Sequence, residues 1–471
     1  MEQKEQLNNL PKGWVWSNIS ELFIIIGGGT PSKKHAKYWG GDIKWASVKD
    51  IKSQFLTETI DKITNEGLNQ SNTNLASIGD IILVTRIAPG QVSIAKEKIT
   101  INQDLKILKL FGGIIPSFVY FLIKSNDQKF ISRASGTTVK GLKVTDLNNI
   151  KLPLPPLKEQ SRIIIKIEEL FSEIDHATKN LQKAKYELDI YKQSILKSTF
   201  TGKLSEKWRE ENTSEMIDFE EFSDYNLPNN WKLETIENVS EFIGSGSTPK
   251  GGKNTYTELG IPFIRSQNVH VNKFIQNDLV YISEEINEKM KRTKTKPRDI
   301  LLNITGASIG RCAYIPEDFI LGNINQHVCI IRVNSDITDY KYLTFYLNSP
   351  DAQIKISQIN SGATREALTL TQIKRFSFPL CNKEEQTKIV EMLETRFTLI
   401  ENLETIINKS FKDIELFKHT TLKKAFEGKL VNQDPLEESA NTLIQKIKIE
   451  KSEYLKTKNE AKNQSPQRKN L

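Results

Sequence analysis

The sequence contains few cysteines and no long hydrophobic run. Only three cysteines occur among 471 residues, and Cys312, Cys329 and Cys381 are too scattered for a disulfide or metal-ligand pattern. This usage is typical of a reducing compartment, so we expect a cytoplasmic protein. No apolar stretch is long enough to cross a bilayer, and the N-terminus does not have the pattern of a signal peptide.

The sequence also lacks a recognisable catalytic motif. The glycine run that begins at Gly27 is not followed by the Gly-Lys-Ser/Thr of a phosphate-binding loop, so we interpret it as a turn or a close backbone approach. Pro350 and Asp351 are not followed by the Asp/Glu-x-Lys of a nuclease motif, and no Asn/Asp-Pro-Pro-aromatic motif of a base methyltransferase occurs. The five histidines are scattered. We therefore predict a protein that is not an enzyme, with no catalytic residue and no metal site.

The charge balance favours an anionic partner. Lysine and arginine outnumber aspartate and glutamate by 66 to 58, which gives a formal net charge of +8. A basic balance of this size favours binding to a polyanion such as nucleic acid over binding to an acidic substrate.

The chain contains an internal repeat. The segment SGTTVKGLKVTDLNNIKLPLPPLKEQ from Ser135 matches SGATREALTLTQIKRFSFPLCNKEEQ from Ser361, and LPKGW at Leu10 matches LPNNW at Leu227. Such a repeat indicates two copies of one structural unit, each a globular domain followed by a long helix.

Shorter motifs inside the two domains also match. GGTP at Gly28 corresponds to GSTP around Ser247, and INQ at Ile101 corresponds to INQ at Ile324. Short runs such as ELFIII and DIILV, separated by turn residues, predict mostly β domains.

Each copy ends in a sustained heptad of apolar residues, which predicts a long helix with one narrow apolar seam. Such a helix needs a partner, so we predict that the two helices pair as a coiled coil. Arg396 and Ser410 interrupt the second seam. The predicted seam positions are Ile163, Ile167, Leu170, Ile174, Leu181, Leu188 and Ile195 in the first helix, and Ile389, Leu393, Ile400, Leu403, Ile407, Ile414 and Phe417 in the second.

The predicted fold class is therefore α+β, with two tandem mostly β domains, each followed by a long α-helix. The predicted boundaries are 1–155 for the first domain, 156–204 for its helix, 205–225 for a linker, 226–381 for the second domain, 382–430 for its helix and 431–471 for a basic polar tail with a short helix.

Several basic and amide side chains are candidates for DNA contacts. Lysine and arginine bind phosphates, and arginine, glutamine and asparagine can make bidentate contacts to base edges. The candidates are Lys33, Lys34, Lys37, Arg86, Gln91, Arg265, Gln267, Asn268, Lys289, Lys291, Arg292, Lys294, Arg311 and Arg365.

The paired order of these motifs resembles the DNA-specificity subunit of type I restriction-modification systems. The most specific parts are the SGTT and SGAT segments, the IKLPLPPLKEQ run with its FPLCNKEEQ counterpart, the heptad helices and the FxGKL endings at Phe200 and Phe426. The second copy has Cys381 and Asn382 where the first has two prolines, which weakens the helix-start signal there.

The resemblance implies that each domain is a target-recognition domain for one half of a bipartite DNA sequence. It also implies that the helices pair antiparallel with pseudo-twofold symmetry, act as a spacer and dock partner subunits. The implied partners are double-stranded DNA, two modification (methyltransferase) subunits and restriction subunits. S-adenosylmethionine, ATP and magnesium would then be bound by those subunits, and this chain itself would hold no cofactor.

Three other interpretations remain open at this stage. A stand-alone sequence-specific DNA-binding regulator would need the same basic domains, whereas a purely structural coiled-coil scaffold would need only the helices. An enzyme acting alone would need a catalytic motif that is unrecognisable. The interiors of the two copies differ, in 32–78 against 250–297, so the resemblance predicts two half-sites of different sequence.

Overall fold

The computed structural model describes residues 10–136, 140–212, 227–360 and 367–464. The chain divides into two units. The first contains residues up to Asn180 together with those from Lys409 onward, and the second contains Leu181–Asn408. Each unit therefore combines the globular domain of one repeat with parts of both long helices.

The first unit contains eleven described strands. Their bounds are β1 (Val15–Asn18), β2 (Ile24–Gly27), β3 (Trp39–Ala46), β4 (Phe55–Leu56), β5 (Asp61–Ile63), β6 (Asn74–Ala76), β7 (Ile81–Val84), β8 (Val92–Ala95), β9 (Ile99–Ile101), β10 (Leu105–Lys109) and β11 (Lys151–Leu154). They form a five-stranded sheet in the order β2-β10-β7-β8-β4, a four-stranded sheet in the order β5-β3-β9-β6 and the two-stranded pair β1-β11.

The central strand β7 shows why this sheet forms. Its side chains alternate between two cores, because successive residues of a strand point to opposite faces. Ile81 and Leu83 belong to the core shared with the helices, while Ile82 and Val84 belong to the core shared with strands of the other sheet. All four are buried, so the continuous apolar run is a strand covered on both faces.

The helices of the first unit are short before the long one begins. Their bounds are α1 (Ile19–Leu22), α2 (Asn65–Asn69), α3 (Pro116–Ser125), α4 (Asp127–Ser132), α5 (Val144–Asn148) and α6 (Leu157–Phe200), the last of which continues into the second unit.

The second unit repeats the same framework. Its sheet β13-β21-β18-β19 corresponds to β2-β10-β7-β8, β12-β22 corresponds to β1-β11, and β17-β14-β20 corresponds to β5-β3-β9. The hairpin β15-β16 lies in the divergent part. The bounds are β12 (Lys232–Thr235), β13 (Ser240–Ser245), β14 (Ile261–Ile264), β15 (Val269–His270), β16 (Lys273–Phe274), β17 (Val280–Ile282), β18 (Ile300–Asn303), β19 (Cys312–Tyr314), β20 (Asn323–Ile324), β21 (Val328–Val333) and β22 (Ser377–Leu380).

The second repeat also has short helices before its long one, but no α-helix corresponds to α1 between its first two described strands. The bounds of the remaining helices are α7 (Glu206–Asn212), α8 (Glu284–Lys289), α9 (Tyr340–Leu347), α10 (Pro350–Asn360), α11 (Leu370–Lys374), α12 (Lys383–Phe426) and α13 (Ala440–Gln464). None of the described helices is long and apolar enough to span a membrane.

The long helix α12 begins without the prolines that precede α6. Instead, the side chain of Asn382 accepts a hydrogen bond from the Glu385 backbone N–H at 2.8 Å. Asparagine is a favoured N-cap because its side-chain oxygen satisfies an N–H that has no partner inside the helix. The departure at 381 and 382 therefore replaces one helix-start signal with another.

The long helices pair antiparallel, and each unit shows part of this pairing. In the second unit Lys192 of α6 forms an ion pair with Glu404 of α12. In the first unit Asp175 of α6 lies 3.9 Å from Lys418 of α12. Contacts later in one helix are made to positions earlier in the other, as antiparallel pairing requires.

The buried face of the two helices differs from the predicted seam in one respect. Leu403 and Phe417 were predicted to lie in it, but 40% and 48% of their surfaces are exposed. Glu404 and Lys418, one position further on, face the partner helix instead. The other predicted seam positions are buried or half-buried.

The reason for the shift is the helical period. In α6 the buried residues Ile163 and Thr199 are 36 positions apart, and in α12 the buried residues Ile389 and Ala425 are also 36 positions apart. That interval is about ten turns of 3.6 residues, whereas a strict 3.5-residue seam drifts by about 20° per heptad on a straight helix. Arg396 therefore does not interrupt the buried face, because the next residue, Phe397, packs against the second unit's core in its place.

The FxGKL endings pack into the unit of the opposite repeat. Phe426, which ends α12, lies 5.5 Å from Phe118 in the first unit's core, measured between ring centroids. Phe200, which ends α6, lies 5.4 Å from Tyr342 and 5.0 Å from Tyr346 in the second unit's core. The repeated motif is therefore a core contact.

A second repeated pair fastens each domain to its own long helix. The Trp14 indole N–H donates to Glu159 at 2.9 Å in the first unit, and the Trp231 indole N–H donates to Glu385 at 3.0 Å in the second. This contact explains why LPKGW and LPNNW recur together with KEQ and EEQ.

The C-terminal part of the chain forms a longer helix than the short one that the sequence suggested. Helix α13 has 25 residues, and Leu443 and Ile447 are buried in the first unit's core. The ammonium group of Lys451 donates to the backbone carbonyls of Ser20 and Phe23 at 2.6 and 3.1 Å. The helix is therefore an integral part of the first unit up to this point.

Candidate DNA interface

A glycine turn and the INQ segment lie against each other in both units. A Cβ atom on Gly28 would lie 2.0 Å from the Asn102 carbonyl oxygen, and one on Gly246 would lie 2.0 Å from the Ile324 carbonyl oxygen. Only glycine allows so close an approach of two backbones. The glycine run thus serves close backbone contact, as the sequence predicted.

In the first unit this contact aligns four polar side chains, which we call the first polar chain: Thr30, Gln103, Asp104 and Arg86. The Thr30 hydroxyl donates to the Gln103 amide oxygen, and the Gln103 amide N–H donates to Asp104 at 3.4 Å. The Arg86 guanidinium pairs with Asp104 at 3.1 Å. The Thr85 backbone N–H donates to the Asp104 carbonyl at 2.9 Å, which places Arg86 beside its partner.

In the second unit four side chains occupy the corresponding places, and we call them the second polar chain: Thr248, Gln326, His327 and Thr305. The Thr248 hydroxyl donates to the Gln326 amide oxygen. The Gln326 amide nitrogen lies 2.7 Å from His327 Nε2, and the Thr305 hydroxyl contacts His327 Nδ1. The Ile304 backbone N–H donates to the His327 carbonyl at 3.0 Å, as Thr85 does in the first unit.

Both polar chains lie beside the segment that follows the repeated Ser-Gly motif. The Leu142 N–H donates to the Thr85 carbonyl at 2.7 Å, and the Leu368 N–H donates to the Ile304 carbonyl at 2.8 Å. The backbone framework is therefore the same in both units. Two of the four side chains are also the same, threonine and glutamine, and the other two differ.

Two sequence candidates, Gln91 and Arg311, occupy the same place in the two units. Both side chains are exposed. Gln91 is the last residue of the turn between β7 and β8, and Arg311 is the last residue of the corresponding turn between β18 and β19. Each follows a glycine in the left-handed region, Gly90 with φ +94° and Gly310 with φ +84°. The sequence alone did not align them, because the second turn is one residue longer.

The lysine cluster at the start of the first domain lies on the surface. Lys33, Lys34 and Lys37 are exposed, and Lys37 forms an ion pair with Glu66 at 2.5 Å. An exposed pair of this kind contributes little to stability, so all three ammonium groups remain candidates for phosphate contacts.

The basic run of the second domain is partly neutralised by glutamates. Lys289 pairs with Glu285 at 2.6 Å, and Lys294 pairs with Glu288. The Arg292 guanidinium lies 5.9 Å from the centre of the Phe242 ring. Lys291 is exposed. Because the glutamates offset part of the charge, the run attracts phosphates less strongly than its sequence suggested.

The group around Asn268 includes one candidate that the structure contradicts. Only 1% of the Asn268 surface is exposed. Its side-chain oxygen accepts the Arg265 backbone N–H at 3.0 Å, and its amide group donates to the Ile275 carbonyl at 3.1 Å. This side chain shapes the loop and cannot reach a base, so its prediction as a DNA contact is wrong.

The neighbours of Asn268 differ from it. The Arg265 guanidinium donates to the Asp278 carbonyl at 2.9 Å, which ties it to the same loop. Gln267 is exposed and remains a candidate. Arg365 lies outside the described residues.

The basic run allows a test of phosphate contact against base reading. Replacing Lys291, Arg292 and Lys294 by alanine should weaken binding to all duplexes alike. The slope of log K against log salt should become shallower by roughly one unit for each phosphate that these side chains neutralise. Binding titrations at several salt concentrations, on specific and random duplexes, measure both quantities.

The control for this variant removes the same charge elsewhere. Lys446, Lys448 and Lys456 are exposed on α13, and their triple alanine variant should leave the salt slope nearly unchanged. A changed base preference with an unchanged slope in the first variant would instead assign the basic run to base reading.

Sequence reasoning missed most of the two polar chains. Arg86 was a candidate, but Thr30, Gln103 and Asp104 were not, although the matched INQ motifs were visible as part of the repeat. In the part of the chain that the structure describes, no group of three or more histidine, cysteine, aspartate or glutamate side chains could hold a metal ion.

A family model described as the type I restriction modification DNA specificity domain matches residues 11–185 and 228–409. The two matches cover most of the chain and fall on the two repeats. The chain belongs to this family. Its role is therefore DNA sequence specificity in a type I restriction-modification system, which involves DNA and methyltransferase and restriction partners.

Specificity subunits of several type I restriction enzymes are similar to this chain along most of its length. The EcoBI specificity subunit of Escherichia coli is 29% identical over 370 residues, which cover 75% of this chain and 74% of the relative. The MjaIX specificity subunit of Methanocaldococcus jannaschii is 25% identical over 365 residues, covering 73% and 77%. The EcoKI specificity subunit of Escherichia coli K12 is 23% identical over 477 residues, covering 94% and 96%.

Two solved structures share the fold. A chain from a study of complex assembly and conformational transition of the type I R-M system is 20% identical, with a TM-score of 0.69, over 90% of this chain and all of that one. The HsdS subunit from Thermoanaerobacter tengcongensis is 19% identical, with a TM-score of 0.57 and the same coverage. They confirm the tandem α+β fold with long paired helices.

Proposed function

We propose that each unit reads one half of a bipartite DNA target and that the two half-sites differ in sequence. The observation that carries this proposal is the pair of polar chains, which share one backbone framework and one Thr–Gln pair. They differ at the other two positions, Arg86 and Asp104 against Thr305 and His327. A common scaffold with different hydrogen-bonding groups suits two readers of different sequence.

We also propose that the long helices dock the modification subunits. In the second unit Leu399 and Ile406 of α12 and Tyr186 of α6 are exposed large apolar residues. In the first unit Ile165 of α6 and Leu416 of α12 are exposed too. Leu399 and Ile406 are seven positions apart and therefore share one face of α12, and exposed apolar surface marks an interaction site when it is contiguous. Because both units present such residues, two modification subunits can bind one chain.

We propose the following division of roles for the rest of the complex. The chain itself supplies recognition and no chemistry, while S-adenosylmethionine, ATP and magnesium belong to the modification and restriction subunits. The complex acts in the cytoplasm. A regulator acting alone would not need exposed apolar residues on both long helices, which favours the subunit role over that alternative.

Exchange of one domain tests whether the two half-sites are read independently. Replacing residues 10–152 by the corresponding domain of a relative should change one half-site and leave the other intact, because that segment carries the first polar chain and none of the second. Methylome sequencing of cells that express the chimera with its modification subunits identifies both half-sites.

The reciprocal chimera is the matched control. Replacing residues 227–378 should change the other half-site alone. A change in both half-sites from either exchange would contradict independent reading.

A further inference from the structure

We propose that Arg86 reads a guanine in the half-site of the first unit and that Asp104 holds its guanidinium in the reading orientation. In the second unit Thr305 and His327 take the corresponding positions and read a different base pair. This inference rests on the proposed function, in which each unit reads its own half-site.

The geometry of the Arg86–Asp104 pair supports these separate roles. The Asp104 side chain is 12% exposed and the Arg86 side chain is 50% exposed. The Asp104 carboxylate is also held by a second hydrogen bond, which it accepts from the Asn102 amide N–H at 3.2 Å. A guanidinium has five N–H donors, so one ion pair leaves donors that can bind a base.

Guanine is the base that this side chain fits. Its major-groove edge presents two acceptors, N7 and O6, and a guanidinium fork donates to both at once. An arginine whose orientation is already fixed loses less side-chain entropy on binding than a mobile one. Asp104 is therefore a positioning residue, while Arg86 is the reader.

The residue after Arg86 is an independent sign that this loop is shaped for a contact. Ile87 adopts φ +74° and is exposed. A β-branched residue with positive φ is a strained exception that is found mainly at functional sites. The second unit has Gly306 at the corresponding place, with φ +72° and no strain. The first unit therefore keeps an exposed isoleucine where glycine would be easier.

The side chains that the two units share have a different role. Thr30 and Gln103 are repeated as Thr248 and Gln326 with the same hydrogen bond. Groups that are the same in readers of different half-sites cannot distinguish those half-sites. We therefore assign the Thr–Gln pairs to the framework and the sequence preference to the changed pairs.

The test measures the affinity of the full chain, assembled with its modification subunits, for DNA duplexes. One duplex carries the target sequence that methylome sequencing identifies, and the others carry single-base changes in either half-site. For the unaltered chain, loss of the guanine should weaken binding about tenfold to a hundredfold. Arg86→Ala should reduce that ratio to roughly threefold or less at this one position. Preferences in the second half-site should not change.

Two more variants separate reading from a general loss of charge or folding. Arg86→Lys keeps the charge but not the planar fork, and lysine can also contact guanine O6 and N7. It should therefore weaken the guanine preference less than Arg86→Ala does and keep its affinity for random duplexes. Asp104→Asn should weaken the preference without changing the preferred base. Lys448→Ala, a change at an exposed residue of α13 outside both polar chains, is the control and should leave the preferred base and its ratio unchanged.

The outcomes against this inference are distinct from those against the proposed function. If the unaltered chain directs methylation to a bipartite site but Arg86→Ala and Arg86→Lys keep every base preference, the assignment of Arg86 is wrong. A uniform loss of affinity with a shallower salt slope would make Arg86 a phosphate contact, which also overturns it. A methylated site without two independent halves would overturn the proposed function itself.

Discussion

Replacing Glu385 by alanine should lower the free energy of unfolding of the second unit by about 3–5 kcal/mol, the usual effect of removing one partner of a buried ion pair. Glu385 is fully buried and pairs with Arg209 at 2.6 Å. It also accepts hydrogen bonds from Trp231 at 3.0 Å and from the Ser205 hydroxyl at 2.7 Å. The variant removes the charge that pairs with Arg209 and the acceptor of the Trp231 indole N–H.

The corresponding residue of the first unit, Glu159, is a matched control with an opposite expectation. It accepts the Trp14 indole N–H, but among the described residues its other oxygen has no hydrogen-bond partner. The nearby Arg162 pairs with Glu437 instead. Burial raises the pKa of Glu159 above 4.5, against the lowering effect of the Trp14 hydrogen bond.

The two glutamates should therefore respond differently to glutamine. Because its pKa is higher in the folded state than in the unfolded state, the carboxyl of Glu159 favours folding while it is protonated, at pH values below the unfolded-state pKa. This contribution to the free energy of unfolding is lost as the pH rises through the folded-state pKa. Glu159→Gln keeps an acceptor for Trp14 and removes that loss, so it should gain stability over the unaltered chain as pH rises from about 4.5 to neutral. Glu385→Gln should be destabilised at neutral pH, because a neutral amide replaces the carboxylate that pairs with Arg209 at 2.6 Å.

Thermal unfolding of both glutamine variants at pH 4 and pH 8, followed by tryptophan fluorescence, measures this contrast. Equal destabilisation of both variants at pH 8 would show that the two Trp–Glu pairs are energetically equivalent, contrary to the structure.

The repeat and the helices could be predicted because they depend on local signals. The matched segments, the strand-like runs and the heptads occur in continuous stretches of sequence. The error at Leu403 and Phe417 has the same origin. A seam traced with a fixed heptad shifts from the buried face of a straight helix, and only the partner's position reveals where it shifts.

The DNA interface was less accessible because it depends on contacts between distant segments. The first polar chain joins Thr30, Arg86 and Asp104, which are far apart in sequence. Composition favoured long basic runs, but glutamates neutralise part of the run at 289–294. Asn268 has the right chemistry for base reading, and only its burial reveals a structural role.

Lengthening both long helices by one heptad should abolish recognition of the native site, because we propose that these helices set the distance between the half-sites. Each helix has 44 residues, or roughly 66 Å at about 1.5 Å per residue. This is nearly two turns of B-DNA at about 34–36 Å each. The insertions belong after Ala184 and Ser410, which lie between the cross-helix contacts at Lys192–Glu404 and Asp175–Lys418.

The expected change in the target follows from the added length. Seven residues lengthen the pair by about 10 Å, which corresponds to about three base pairs at roughly 3.4 Å each. The apolar faces stay nearly in phase, with about 20° of drift. Three base pairs also turn the second half-site by about 100° around the duplex, given about 10 base pairs per turn. A complex that contains the double-insertion protein should therefore methylate DNA only weakly, and only at targets with a longer spacer between the half-sites.

An insertion after Ala184 alone is the control for this experiment. It leaves seven residues unmatched against the partner helix, so it should lower the unfolding temperature or prevent assembly with the modification subunits. The double insertion should restore folding and assembly without restoring the native site. Methylome sequencing distinguishes the outcomes, and continued preference for the original spacer in the double-insertion protein would rule out the helices as the determinant of that distance.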